Sequence, residues 1–421
     1  MDTKLKFGKA GHVLLALFIA THAATAHAGD APDWATDTLS GNWGGKRDYL
    51  DDRGVRIELT HKSDLLSNTS GGIRKGSAWL AHTEVAASVD LDKHRGWAGA
   101  SAFIHYHVQH GNQSKDFSGS YVGTFAGSSN IETGTSGGQF FNAWLQQNLA
   151  DDALSVLFGL YAIDSEFYVT DSSGLFTQPP YGMSAEVEQT GQSGPPVFPM
   201  GALALRLKYS TGDFYVQAAL TDGVPGNPNN PRGTYVQLDK GDGTLSITEL
   251  GYTPAGDENS INKTAVGVWN YTAPAFDLVT GEPRSDRGYY LLSERTLMAE
   301  AGGAGQGLSG FIRFGTANPD AYQADWVGST GLHYKGLIDG RDDDEAGIAV
   351  TVSHAGSKYR EAQLLAGTQT DVSEILVGLT YRAQMLPWLA VQPSVLRVMN
   401  PGMDKAVGDA TVVGVRLELA L

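Results

Sequence analysis

The chain has 421 residues, a net charge of −16 at pH 7 and no cysteine. The acidic balance argues against nucleic acid as a partner, because phosphate binding needs basic patches. The missing cysteines exclude disulfides, thiolate metal sites and cysteine redox chemistry.

Lys4, Lys6 and Lys9 precede a short apolar run, Val13 to Ala20, and the small residues that follow end in Ala26-His27-Ala28. This is the pattern of a secretory signal, so 1–28 is read as a signal peptide removed near Ala28. The run is too short to cross a bilayer, which takes roughly 20 apolar residues, and no later segment reaches that length. Glycine supplies 53 residues, nearly double the usual share of roughly 7%. That abundance suits tight turns and strands with small side chains, and suits helices poorly. An exported, glycine-rich chain without a helical anchor is either a secreted or periplasmic all-β protein or an outer-membrane barrel.

In chain order, Leu39 to Gly54 predicts a short helix. Asn42 is its candidate cap, Arg47, Leu50 and Arg53 recur at helical spacing, and Gly54 stops it. A strand opens at Val55, and Ser67 to Gly76 reads as a polar loop. Ala81–Leu91 and Trp97–Gln109 pair as strands about the turn Asp92 to Gly96. In the second of these, Ala102, Ile104, Tyr106 and Val108 share one face, while Phe103, His105, His107 and Gln109 share the other. Two histidines on one strand face suggest either a metal site or the lining of a wet lumen. With no carboxylate or third histidine seen nearby on that face, lumen lining is preferred and no metal site is assigned.

Gly111 to Phe140 and Asp164 to Pro199 are irregular stretches, far longer than the roughly 12–15 residues usual for a loop, and such loops are often functional. The second is read as a surface lid or as a segment that folds inward and narrows a channel. Phe141–Leu149 and Leu154–Tyr161 are strands between the two. Met200–Ser210 and Gly212–Leu220 form a hairpin. Its first strand turns Leu203, Leu205, Leu207 and Tyr209 one way and Ala204, Arg206 and Lys208 the other. Two cations on the non-greasy face are costly against lipid and useful in a wet lumen.

Further strands are expected at Thr244–Tyr252, Lys263–Tyr271, Tyr289–Ala299, Leu308–Thr316, Asp325–Lys335, Glu345–Ser353, Glu361–Leu365, Ser373–Ala383 and Trp388–Val398. In the last, Thr411 to Leu421, an aliphatic face (Val413, Val415, Leu417, Leu419, Leu421) alternates with Gly414, Arg416, Glu418 and Ala420. Short turns alternating with long polar loops fit the two unlike rims of a barrel. Aromatics near strand ends (Trp269, Tyr271, Tyr289, Tyr290, Trp326, Tyr334, Tyr381 and Trp388) are candidates for interfacial girdles. Gly305 to Gly310 matches G-x-G-x-x-G, but a strand follows where the dinucleotide fingerprint needs a helix, so it reads as a hairpin turn. The acidic run Asp342 to Glu345 reads as a solvated loop. No nucleophile elbow surrounds a Ser/His/Asp set, so no catalytic residue is assigned.

Several stretches, taken in order, resemble the carbohydrate-selective porins, the OprB family. They are Leu39 to Arg47 (L-S-G-N-W-G-G-K-R), Ser70-Gly71-Gly72, Ser128-Ser129-Asn130-Ile131-Glu132 and Ser165-Glu166-Phe167-Tyr168. Phe198-Pro199, Asp222 to Gly226, and Arg382-Ala383-Gln384 with Gln392-Pro393 complete the set. The resemblance implies an all-β transmembrane antiparallel barrel of about 16 strands, with a short N-terminal helix and loops folded into the lumen. It implies facilitated diffusion of sugars across the outer membrane. The organisation expected is a signal peptide at 1–28, a periplasmic segment at 29–54 and a barrel at 55–421. Implied partners are carbohydrates, outer-membrane lipid and the barrel assembly machinery; a homo-oligomer stays open, and no cofactor is expected. One departure is Leu421, where such barrels usually carry an aromatic residue.

A sugar-selective pore pairs charged or amide groups, for hydroxyls, with aromatics, for C–H faces. The substrate-path candidates on strand faces are Arg206, Lys208, His105, His107, Arg382, Arg416 and Glu418. Glu166, Phe167 and Tyr168 are the candidates for a constriction. A general, non-selective porin and an exported all-β saccharide-active enzyme are the alternatives.

Overall fold

The computed structural model describes residues 32–256, 260–300 and 305–421; the expected signal peptide lies outside them. Two short helices come first, α1 (Trp34–Asp37) and α2 (Lys46–Asp51). Gly45, in the left-handed region, precedes α2. Asn42 acts from further back, accepting from the Asp48 N–H at 3.2 Å.

Sixteen strands then close into one barrel. They are β1 (Val55–Gly72), β2 (Gly76–Asp90), β3 (Ala100–Gly111), β4 (Gly137–Leu149), β5 (Leu154–Tyr161) and β6 (Ala202–Thr211). Next come β7 (Phe214–Asp222), β8 (Thr244–Tyr252), β9 (Asn262–Tyr271), β10 (Arg287–Ala299) and β11 (Gly307–Thr316). The last are β12 (Ala324–Lys335), β13 (Glu345–Ala355), β14 (Ser373–Leu386), β15 (Leu389–Met399) and β16 (Gly408–Ala420). Each pairs antiparallel with its chain neighbours, and β16 closes on β1 from Thr60↔Ala420 to Gly72↔Gly408. Closure leaves no open sheet edge, which a hydrocarbon environment requires. The register shifts near Asn68 to Gly72 depend on glycine: Gly71 has φ +62°, and a Cβ there would lie 1.9 Å from the Asp409 carbonyl oxygen.

The two rims differ. One carries short links such as 150–153, 212–213 and 387–388; the other carries 112–136, 162–201, 223–243 and 356–372. The strand faces alternate as the period-two pattern demands. Leu205, Leu207 and Tyr209 are exposed on the outside of β6, while Ala204 and Arg206 are buried inside. Ile104, Val268, Ile312, Leu379 and Val413 continue this exposed apolar belt around the barrel. A belt of that extent is unsuited to water and suits lipid. No helix among the described residues is long and apolar enough to cross a membrane.

Four expectations are corrected. Glu361–Leu365 is not a strand but part of a helix, α3 (Ser357–Leu365); its residues are good helix formers, and Lys358 pairs with Glu361 at 2.8 Å. Ser67 to Gly72 continues β1, so the expected loop shrinks to 73–75. Trp269, Tyr271 and Tyr290 are buried inside the lumen, because an inward-folded loop needs a partner surface; Tyr289, by contrast, is exposed on the belt. The acidic run is not wholly solvated. Asp344 and Glu345 are buried, with Asp344 held by Arg341 at 2.8 Å and by Tyr381.

Candidate functional site

The long stretch 162–201 folds into the lumen, and the wall behind it is built to hold it there. Six consecutive strands, β6 to β11, each send one polar side chain to this loop. Arg206 donates to Glu166 at 2.7 Å, Gln217 to the Glu166 carbonyl at 2.9 Å and Lys263 to the Val169 carbonyl at 2.7 Å. Glu249 accepts the Tyr168 N–H at 2.9 Å, and Glu294 accepts from Ser172 N–H and Oγ at 2.9 and 2.8 Å. Arg313 donates to the carbonyls of Tyr168, Pro180, Tyr181 and Gly182. Backbone polar groups buried away from water must find partners, and here the wall supplies them. Gly315 lets the loop approach closely: a Cβ there would lie 1.8 Å from Glu186 Oε1. At its tip the loop reaches the far wall, where Gln392 of β15 donates to the Leu175 carbonyl at 2.7 Å.

A second loop, 112–136, enters from the same rim. Arg416 of β16 and Asp64 of β1 form a bidentate pair at 2.7 and 2.8 Å. Onto that pair the loop places Ser129, donating to Asp64 at 2.7 Å, and Asn130, accepting from Arg416 at 2.7 Å. The Asn130 N–H then donates to the Thr177 carbonyl at 2.7 Å, joining the two loops. Glu374 accepts the N–H groups of Phe125 and Ala126, at 2.8 and 2.9 Å, and so fixes the loop's other side.

Between these loops and the wall from β12 round to β4, and bordered also by the short-turn ends of β9 to β11, lies a cavity of about 1810 Å³. Its wall carries a charge chain: Arg382 lies 3.0 Å from Glu418 and 3.4 Å from Glu345, and His333 lies 2.7 Å from Glu345. On β1 to β3, Lys62 stands 3.7 Å from Glu84, and the Nε2 atoms of His82 and His105 each lie 3.0 Å from Glu84 Oε2. Phe103, Phe141, Phe176 and Phe198 give the cavity apolar faces. Two carboxyls on the loop side titrate unusually. Burial pushes Asp164 up to about 6, and burial with Asp164 and Glu186 close by pushes Glu188 up to about 7.

Of the ten expected path residues, His105, Arg382, Arg416 and Glu418 line this cavity. The other six face inward but stand away from it. Arg206 is 2% exposed and also bonds Ser155 and Gln146. Lys208 lies over the Tyr215 ring. His107 is buried and stacks on Phe141 at 5.4 Å. Glu166 accepts from Arg206 and from the Tyr161 hydroxyl at 2.6 Å, and Arg206 holds it below the usual carboxylate range although burial alone would raise it. Phe167 and Tyr168 are buried against the wall, with Tyr168 stacked on Tyr290 at 4.2 Å. They anchor the root of the constricting loop, and Asp171 with Ser173 to Phe176 face the cavity in their place. The expectation of no carboxylate or third histidine near His105 is corrected as well. Glu84 and His82 stand there, supplied by the neighbouring strand through the pairing Glu84↔His107. Sequence reading missed Glu58, Lys62, His333 and Lys335. The period-two count along β1 reaches Glu58, Thr60 and Lys62 on one face; His333 and Lys335 needed the cross-strand register.

A closed antiparallel barrel with an apolar outer belt, a polar lumen and two in-folded loops is an outer-membrane channel. The family model described as "Carbohydrate-selective porin, OprB family" matches residues 74–421. The chain belongs to that family, and it is an outer-membrane porin for the facilitated diffusion of carbohydrates. It is similar to Porin B of Pseudomonas aeruginosa, 25% identical with 94% of each chain covered. It is also similar to a putative porin, QuiX, of Acinetobacter baylyi, 24% identical with 92% of this chain and 94% of the relative covered. Among solved structures it shares the fold of the high-pH structure of Pseudomonas putida OprB. That likeness has a TM-score of 0.79 and 22% identity, over 93% of this chain and all of that one.

Proposed function

We propose that sugars cross through the cavity between the tip of loop 162–201 and the β12-to-β3 wall, with His105, Arg382, Arg416 and Glu418 among the groups they meet. The observation that carries this is the pairing of guanidinium, carboxylate and imidazole groups on one side with Phe103, Phe141 and Phe176 around them. Sugar hydroxyls both donate and accept, and their C–H faces lie well on aromatic rings. Several weak contacts along the path let solute leave as well as enter. Arg206, Lys208, Glu166, Phe167, Tyr168 and His107 act on the path indirectly, by fixing the loop that bounds it. The chain works as a channel with no catalytic step.

In this reading 1–28 is removed on export, near Ala28, and 29–54 stays at the periplasmic, short-turn rim. Arg47 of that segment donates to the Leu421 carbonyl at 2.6 Å, tying α2 to the end of β16. Insertion then depends on the barrel assembly machinery, and association with further copies is compatible with the barrel. The test is reconstitution into planar bilayers. Sugar should reduce ion conductance in a concentration-dependent way, and Arg382→Gln should weaken that block. A conducting channel that no sugar blocks overturns the selective reading in favour of a general porin.

A further inference from the structure

The outward side of β1 to β3 breaks the greasy belt. On β1, Lys62 and Asp64 point into the lumen, so His61 and Ser63 point out, on the same face as Leu59 and Leu65. Their cross-strand neighbours on β16 are the aliphatic Leu419 and Leu417, which places both groups at belt depth. Arg287, His354 and Arg397 also face outward, but they stand at or near strand ends. His61 Nδ1 lies 2.8 Å from the Thr83 hydroxyl of β2, and that hydroxyl lies 3.4 Å from His110 Nε2 of β3. A hydroxyl that donates to one ring and accepts from the other fixes opposite tautomers in the two imidazoles. One ring therefore turns an N–H donor outward and the other a bare acceptor nitrogen. Among the described residues neither His61 Nε2 nor His110 Nδ1 has a hydrogen-bond partner. Hydrocarbon offers them none, and unpaired polar groups there are costly. Around them the surface is low: Ser63 is 9% exposed and Ala81 0%, with the Trp79 indole donating to the Ser63 hydroxyl at 2.6 Å.

We propose that a second copy of this chain packs on this face, so that two barrels pair through the outward sides of β16, β1, β2 and β3. The face is self-complementary. About a two-fold axis near Thr83, the donor of one copy meets the acceptor of the other, and the exchange happens twice. From Leu59 to Leu65 on β1 and from Trp79 to Val85 on β2, the outward positions hold no Lys, Arg, Asp or Glu, so nothing there selects a charged partner. Small residues let two backbones approach, and polar groups between them hold membrane interfaces together. Four strands at about 4.8 Å spacing and a belt about 25 Å tall give roughly 480 Å² per copy. The two copies together then cover close to the roughly 1,000 Å² that a specific interface needs. The pairing requires only the membrane barrel and is independent of which solute crosses it.

The chain has no cysteine, so single introduced thiols report contact cleanly. In native outer membranes treated with a short bis-maleimide, Leu65→Cys on this face should give an adduct of two chains. Leu207→Cys on β6, comparably exposed on the belt, should not. Sedimentation of the full barrel in mild detergent should give the mass of two chains. The triple variant His61→Leu, Thr83→Val, His110→Leu should lower the paired fraction about tenfold, with resistance to sodium dodecyl sulfate before heating as the check on folding. If the polar groups are merely tolerated against lipid, this more apolar variant leaves the paired fraction unchanged, and the proposal fails. Should the variant not fold, the two cysteine positions decide alone. A one-chain mass, equal adducts at Leu65 and Leu207, or an adduct only with a protein of another mass each overturns the pairing.

Discussion

The wall from β6 to β11 and the wall from β12 round to β3 share a strand geometry and a density of inward polar groups, yet use them oppositely. On the first, Arg206, Gln217, Glu249, Lys263, Glu294 and Arg313 are each bound to loop 162–201, and apolar residues such as Trp269, Tyr290 and Leu292 fill the space between. On the second, Arg382, Glu345, Glu418, Lys62 and Glu84 bind one another and border open space. A charge in a barrel lumen is therefore not a pore residue by virtue of facing inward. It lines the path only where it also borders open space, as Arg416 does while holding Asn130, and as Arg206 does not.

This contrast can be broken or sharpened at particular residues. The largest effect is expected at Arg313, which is 3% exposed and serves four loop carbonyls. Arg313→Ala leaves those carbonyls unpaired and should cost about 3 kcal/mol or more. Urea unfolding of the refolded barrel would read that loss, with a larger and noisier single-channel conductance as the loop loosens.

Arg206 and Glu166 come next. Either Arg206→Met or Glu166→Gln alone strands a buried partner and should cost about 3 kcal/mol, while the double variant should cost clearly less than the sum. A double-mutant cycle in urea measures the difference, and strict additivity would contradict the clamp. By contrast, Arg382→Gln keeps a hydrogen-bonding amide beside Glu345 and Glu418, which border the open cavity, and should cost less stability than Arg206→Met while changing sugar block of conductance. Equal stability losses at Arg382 and Arg206 would erase the distinction between the walls. The smallest effect is on pH dependence. With Glu188 pushed up to about 7 and Asp164 to about 6 by burial, each gains negative charge as pH rises through its value. The K⁺/Cl⁻ permeability ratio, read from the zero-current potential under a KCl gradient, should therefore rise from about pH 5 to about pH 8, and Asp164→Asn with Glu188→Gln should flatten that rise.

Much of the fold is readable from residues alone because a strand's period of two is a local rule. The faces expected for β3 and β6 are those observed: Ile104, Leu205 and Leu207 outward, Phe103, His107 and Arg206 inward. The unlike rims follow from where glycine, asparagine and proline cluster. The failures at the buried aromatics and at His105 share a cause, contacts distant in sequence, whereas the misread helix is a local matter. Trp269 and Tyr290 carry the chemistry of an interfacial girdle, yet loop 162–201 offers them an interior. Ser357–Leu365 is short and weakly patterned, and helix-forming residues tip it. His105 looked isolated because Glu84 and His82 lie on the next strand, where only register brings them close.

The alternation of Thr411 to Leu421, the glycine content and the ordered motifs determined a barrel with a greasy outside and a charged inside. They did so because side-chain direction along a strand depends on neighbouring residues only. Which inward charges hold a loop and which meet a solute was decided by tertiary structure. That choice depends on loop 162–201 crossing the lumen to Gln392, an arrangement in which partners such as Leu175 and Gln392 are brought together across two hundred residues of chain.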